Sequence, residues 1–195
     1  MNGEAPRADH RQALLGLGLA EAVLRPLAAY LDALAAWSLR MNLSGARTPE
    51  QRVARLVAPV LPARALLGEG SLLDVGSGNG SPGLVLAALL PGLHVTLLEP
   101  RLKRWAFLRE AARVMLRPDV DVRRERHSQY RGPEADYLTL RGLRLPLAEL
   151  APLVRRGGRA LLFGAPPAAL EPGWEPEPAI ELGAGQLRVY RRCST

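Results

Sequence analysis

Between about Arg11 and Leu67 the apolar positions recur every three to four residues and seldom alternate, which is the spacing of amphipathic helices. In EAVLRPLAAYLDALAAWSLRMN, the residues Leu24, Leu27, Tyr30, Leu31, Leu34, Trp37 and Leu39 fall near one stripe of a helix that Asn42 ends. SGARTPEQRVARLVAPVL then reads as a turn into further helix, with Thr48 as N-cap, Pro49 at the first helical position and Gln51 close behind. From Ser71 the texture changes to short apolar runs separated by helical segments. SLLDV, HVTLLE, VDVRRE, DYLTLR and RALLFG predict strands, with helices beginning near Pro82, Leu102 and Pro146. Strand and helix alternating at this spacing predict a parallel sheet with helices on both faces. AIEL and QLRVYRR, joined by GAG, predict a terminal antiparallel hairpin, and the proline-rich stretch 165–179 reads as the connector before it.

Composition narrows the class without fixing the function. The chain has 195 residues, 48% of them hydrophobic and 23% charged, which is enough for one globular domain with an extension. Its net charge of +7, nearly all from arginine since Lys103 is the only lysine, favours contact with a polyanion such as nucleic acid. A single cysteine, Cys193, excludes an internal disulfide framework and suits a reducing compartment. The N-terminus lacks the apolar core of a secretory signal, and the longest apolar run is broken at Pro91-Gly92. A cytoplasmic protein that does not enter membranes is expected. Neither His10 nor His94 has metal-ligand neighbours in sequence, so no metal is expected either.

The chemistry concentrates in DVGSGNGSPG, residues 74–83. Asp74 closes the first strand, and glycines at 76, 78, 80 and 83 bring bare backbone to a helix N-terminus, where a ligand can touch the main chain. Glu99 ends the second strand, 21 residues after Gly78, where an acid can accept hydrogen bonds from ribose hydroxyls. The loop thus suits an adenosine-type cofactor. A dinucleotide fits the G-x-G-x-x-G spacing from Gly78, and a ligand-free structural turn is a further possibility. Asp74 ahead of the glycines, helices preceding the sheet and the terminal hairpin favour S-adenosyl-L-methionine. The fold class is therefore α/β: a class I S-adenosylmethionine-dependent methyltransferase (Rossmann-like) sheet of seven strands. Residues 1–67 are expected as an N-terminal helical extension and 68–195 as the Rossmann-like domain, in one compact unit.

Several stretches resemble the RsmG (GidB) family, the 16S ribosomal RNA guanine-N7 methyltransferases, and the chain looks like a divergent member. WSLRMNLSGARTPEQRVAR is similar to the family's W-N-x-x-x-N-L-T…D-P-E-E stretch, and LLDVGSGNGSPGLVLA to its D-[VL]-G-[ST]-G-x-G-x-P-G signature. HVTLLEPRLKRWAFLRE and LTLRGLRLPLAELAPLVRRGGRALLFG follow two further family segments. The resemblance implies cofactor contacts at Gly76, Ser81 and Glu99, at the pair His127-Ser128 and at Arg141, besides Asp74, Gly78 and Gly80 of the loop. It also implies ribosomal RNA or the small ribosomal subunit as partner. The chain departs from the family where H-x-x-D-S becomes Leu56, Pro59 and Val60, where a lysine becomes Phe163, and where a histidine becomes Gln186.

Guanine N7 carries an in-plane lone pair and no proton, so methyl transfer to it needs alignment more than a general base. No catalytic residue is assigned on this basis. Arg141 could hold the cofactor carboxylate or donate to guanine O6. The runs RRERH (123–127) and LVRRGGR (153–159) are candidate phosphate contacts. Trp105, Phe107 and Leu108 read as core, and Trp37 as helix packing. The polar-to-apolar replacements leave two other functions open: a cofactor- or RNA-binding member without catalysis, or a methyltransferase with another substrate.

Overall fold

The computed structural model describes residues 9–164, 171–183 and 185–194. Seven strands form one sheet: β1 (Gly70–Val75), β2 (Leu93–Leu98), β3 (Asp121–Arg123), β4 (Ala135–Arg141), β5 (Val154–Phe163), β6 (Trp174–Glu181) and β7 (Gln186–Arg192). Their spatial order is β3-β2-β1-β4-β5-β7-β6. The first five are parallel, and β7 pairs antiparallel with both β5 and β6. β6 therefore runs in the same direction as the parallel strands, and its C-terminal end reaches the same edge as theirs. Strand order reverses between β1 and β4, so the ligand crevice is expected outside the carboxyl ends of those two strands.

Two strand boundaries differ from expectation. β6 begins at Trp174, well inside the stretch read as a connector, and contains Pro176 and Pro178. Proline cannot donate to a ladder, but β6 is the outermost strand and the register shifts between Glu177 and Ile180, which accommodates both. Residues 165–170 of that connector lie outside the described residues. β5 begins at Val154 instead of Arg159, because a bulge opposite Ala135–Tyr137 absorbs Gly157-Gly158.

Helices α1 (His10–Leu15), α2 (Glu21–Ser38) and α3 (Pro49–Arg52) precede the sheet. α2 stops at Ser38, short of Asn42, and Leu39 is 88% exposed instead of joining the buried stripe. Thr48 caps α3 as expected, accepting from the Gln51 amide at 3.3 Å. A π-turn (53–57) and a 3₁₀ segment (58–66) follow, and they contain Pro59 and Pro62. α4 (Gly83–Leu89) is buried along its whole length, and α5 (Leu102–Val114) packs beside it under α2. Leu24, Leu27, Tyr30, Leu31 and Leu34 of α2 share one apolar core with α4, with Phe107 and Leu108 of α5, and with one sheet face. Trp37 meets Phe107 edge-on at 5.9 Å. Burial of each such leucine contributes roughly 1.5–3 kcal/mol, so the helical extension is joined to the sheet by many of these increments. The short α6 (Leu147–Leu150) helps cover the other face, over a second core that includes Leu138, Leu140, Leu162 and Trp174. Among the described residues, no helix is long and apolar enough to cross a membrane.

Candidate active site

β1 delivers its chain to the crevice at Val75, and the next residues turn sharply. Gly76 and Gly78 adopt φ of +70° and +51°, a region costing other L-residues roughly 1–2 kcal/mol. The Gly76 and Ser77 amides donate to the Leu98 carbonyl at 2.9 and 3.0 Å, which clips the loop to the end of β2. Glu99, just beyond, is buried and accepts from the Gly78 amide at 3.1 Å and the Arg101 amide at 2.9 Å.

The helical extension holds the loop from the opposite side. Tyr30 of α2 donates to the Asn79 carbonyl at 2.8 Å, and the Asn79 side chain donates to the Leu43 carbonyl at 3.3 Å. Ser81 donates through Oγ to the Leu56 carbonyl at 2.6 Å and accepts from Arg141 Nη1 at 2.7 Å. Arg141 Nη2 reaches the Arg55 carbonyl at 2.6 Å. Pro59 removes one backbone donor from this irregular segment. The Arg55 and Leu56 carbonyls of the segment that contains this departure from the family pattern are the acceptors for Arg141 and Ser81.

These parts wall a cavity of about 900 Å³. One side is the loop, from Gly76 to Asn79 with Ser81; Arg55, Leu56 and Pro59 form a second. Arg104 of α5, Arg141 to Leu143 after β4, and Glu181 to Gly183 of the terminal hairpin complete it. Leu143 lies over Gly76, with Cδ1 2.2 Å from where a Cβ there would stand. Among the described residues lining the cavity, Arg55, Arg104, Arg141 and Glu181 carry the formal charges.

Of the residues expected at the site, Gly76, Gly78, Ser81 and Arg141 line the cavity. The other five stand apart from its wall. Asp74 lies beneath the loop and accepts from Thr139 Oγ1 at 2.7 Å, while Oδ2 faces the Gly83 backbone without a hydrogen-bond partner. Burial pushes its carboxyl up to about 6 from 3.8, against the pull of those neighbours and of Arg141. Gly80 packs on Leu84 and Tyr30, and Glu99 sits one layer behind Gly78. His127 turns its ring to Glu149 at 2.9 Å, and the Ser128 carbonyl accepts from Arg131. Burial lowers the proton affinity of Arg141, which the nearby Tyr30 and Asp74 oppose. The candidate phosphate contacts are partly committed elsewhere: Arg123 pairs with Asp121, Arg155 with Asp136 and Arg159 with Glu177. Asn79, Arg104, Leu143 and Glu181 were not anticipated. The sequence places Tyr30 on a helical stripe, where nothing marks which aromatic also donates a hydrogen bond. Among the described residues, no three His, Cys, Asp or Glu side chains are grouped to hold a metal ion.

The family model described as GidB, rRNA small subunit methyltransferase G, matches residues 24–165. A ribosomal RNA small subunit methyltransferase G of Stenotrophomonas maltophilia (strain K279a) is 35% identical over 179 residues, covering 91% of this chain and 82% of the relative. Its namesake in Xanthomonas axonopodis pv. citri (strain 306) is 34% identical over 161 residues, covering 82% and 74%. Among solved structures, MtNAS in complex with MTA and tNA superposes with a TM-score of 0.62 at 16% identity, covering 95% of this chain and 82% of that one. TrmN from Thermus thermophilus superposes with a TM-score of 0.56 at 24% identity, covering 77% and 51%. These structural likenesses bear on the fold alone.

Proposed function

The chain belongs to the rRNA small subunit methyltransferase G (GidB) family, and from that premise we infer that it methylates N7 of a guanine in 16S ribosomal RNA using S-adenosylmethionine. The observation that carries the reading is the cavity at the β1/β4 strand reversal, walled by the bare backbone of Gly76 and Gly78. Its volume lies in the range of small-molecule sites. The residues present suit the cofactor: backbone without Cβ atoms, Arg104 over Gly78, and a buried carboxylate at Glu99 directly behind. When bound, S-adenosylmethionine supplies an electrophilic methyl group on a sulfonium.

In this reading Gly76, Gly78, Ser81 and Arg141 hold the cofactor from the loop side, and Arg104 closes over it. Glu99 positions Gly78 and lies within a small shift of the ribose side. Asp74 acts from beneath, as the support between β4 and the start of α4. His127 and Ser128 remain at the adenine end only through a shift of their 3₁₀ turn toward the cavity. The guanine takes the half of the cavity bounded by Arg141, Leu143 and Glu181. There Glu181 can accept from guanine N1–H and the N2 amino group, leaving N7 free. No side chain needs to remove a proton, so the protein acts by alignment, which is worth on the order of 7–11 kcal/mol for well-oriented reactants. Ribosomal RNA as substrate makes the cytoplasm the compartment of the reaction.

Transfer of labelled methyl from S-adenosylmethionine to small subunits lacking the modification tests the reading, with 7-methylguanosine in the digested RNA as the expected product. Binding of S-adenosylhomocysteine without label in either subunits or naked 16S RNA would replace it with a non-catalytic role or another substrate.

A further inference from the structure

Beside the cofactor cavity lies a second, shallower depression. Residues 38–42 and 44–47, between the end of α2 and the start of α3, fold around an open groove of about 700 Å³. Ser44 and Gly45 wall both spaces, so the groove leads out of the cavity on the side of the helical extension. Arg40 and Arg47 line it with exposed side chains, and among the described residues neither is paired with a carboxylate. Arg52 forms the inner wall. It is 93% buried, its Nη1 donates to His10 Nε2 at 3.2 Å, and its Nε has no partner. On its other side His10 Nδ1 lies 2.6 Å from Asp32 Oδ1. Asp32 thus bonds His10 while its charge also acts on Arg52, whose guanidinium borders the groove.

Several arginines elsewhere are paired with carboxylates, Arg117 with Asp119, Arg155 with Asp136, Arg191 with Glu177 and Arg192 with Glu134. Leu39, almost fully exposed, adds an apolar surface beside the cations of the groove.

We propose that this groove is an RNA-backbone site: it takes the phosphodiesters flanking the target guanine, against Arg40 and Arg47 with Arg52 behind, and one base face against Leu39. The proposal rests on the reading of the chain as an RNA methyltransferase, but its test does not use methyl transfer. Each phosphate contact with single-stranded RNA contributes roughly −0.7 to the slope of log affinity against log salt. Anisotropy of a short fluorescein-labelled single-stranded RNA is measured against salt for wild type and the double variant Arg40→Ala/Arg47→Ala. A second double variant, Arg64→Ala/Arg156→Ala, removes the same charge from exposed positions near the other edge of the sheet. The groove variant is expected to bind about tenfold more weakly, with a slope shallower by about 1.4, while the control keeps the wild-type slope. Melting curves confirm that both variants fold, and Arg40→Lys is expected to restore most of the slope on the Arg47 wild-type background. Equal losses in both double variants, an unchanged slope in the groove variant, or no RNA binding by the wild type would each overturn the proposal. Failure of the methyltransferase reading shows separately, as absence of S-adenosylhomocysteine binding to the wild type.

Discussion

Tyr30 donates its hydroxyl to the backbone carbonyl of Asn79 at 2.8 Å, joining a helix of the N-terminal extension to the crest of the glycine loop. Tyr30 is fully buried, and burial holds its hydroxyl protonated well beyond the usual phenol range, so it remains a donor. Tyr30→Phe keeps the packing and removes only that bond. It should cost about 1–2 kcal/mol of stability and weaken S-adenosylhomocysteine binding several-fold by calorimetry. Loss of stability with unchanged affinity would show that the loop holds its shape without α2.

Arg141 bridges two separate parts of the chain, Ser81 Oγ at 2.7 Å and the Arg55 carbonyl at 2.6 Å. A lysine presents a single ammonium and cannot hold both in the same fork. Arg141→Lys is therefore expected to raise the S-adenosylhomocysteine Kd about tenfold, a loss of about 1.4 kcal/mol, while the charge is retained. A Kd equal to wild type would assign Arg141 a purely electrostatic role.

Asp74 gives the protein a pH dependence of unusual sign for a carboxylate. Its folded value of about 6 lies above the ordinary 3.8 because burial disfavours the charged form. Between those values the native chain binds more protons than the unfolded one, so this group's contribution falls as pH rises through the window and then levels off. The loss amounts to about 3 kcal/mol at most. Asp136 and Glu177, held low by Arg155 and by Arg191 with Arg159, act in the opposite sense at lower pH. Urea unfolding at several pH values between about 4 and 7 should show the decline in wild type and its absence in Asp74→Asn. Parallel curves for the two proteins would remove Asp74 as the cause.

The strand inventory and the loop were legible because each depends on local pattern: alternating strands and helices, and glycines in close succession. The cavity wall was less so. Glycines announce where backbone is bare, but the place of Asp74 and Glu99 at strand ends does not show that Asp74 accepts from Thr139 of β4 and Glu99 from the Gly78 amide. Arg104 and Glu181 come from a helix after β2 and a hairpin about 80 residues further on, and only the sheet order brings them to one edge. Leu39 shows the limit of periodicity: it continues the helical stripe on paper, but the helix ends one residue earlier. The acceptors on which Ser81 and Arg141 depend are the backbone carbonyls of Leu56 and Arg55, which no side-chain pattern marks.

Gly83 opens α4, where alanine ordinarily gains about 1 kcal/mol over glycine. Here a Cβ would stand 2.4 Å from Leu97 Cδ2 and 3.0 Å from the Asp74 Cβ, both on the sheet beneath. Gly83→Ala should reverse the usual sign and destabilise by about 1–3 kcal/mol through overpacking, measured as a lower melting temperature. A neutral or stabilising result would mean that α4 can lift from β1 and β2 without penalty.

Glu181 offers the sharpest test of substrate orientation, because it is the acid on a cavity wall otherwise charged by arginines. It ends β6, at the same sheet edge as Arg141 at the end of β4. Its carboxylate is bonded to Gln186 across the hairpin, which fixes one oxygen and leaves the other free to accept. A guanine seated with N7 toward the loop directs N1–H and the N2 amino group away from it, toward the hairpin. A hydrogen bond to a charged group is worth about 1.5–3 kcal/mol, so replacing the target guanine by inosine, which lacks the N2 amino group, should lower kcat/KM roughly 10- to 100-fold in the wild type. Glu181→Gln should lower kcat/KM for guanine and flatten the guanine-to-inosine ratio toward one, with S-adenosylhomocysteine affinity unchanged. A ratio that stays at its wild-type value in Glu181→Gln would show that another group reads this edge of the base.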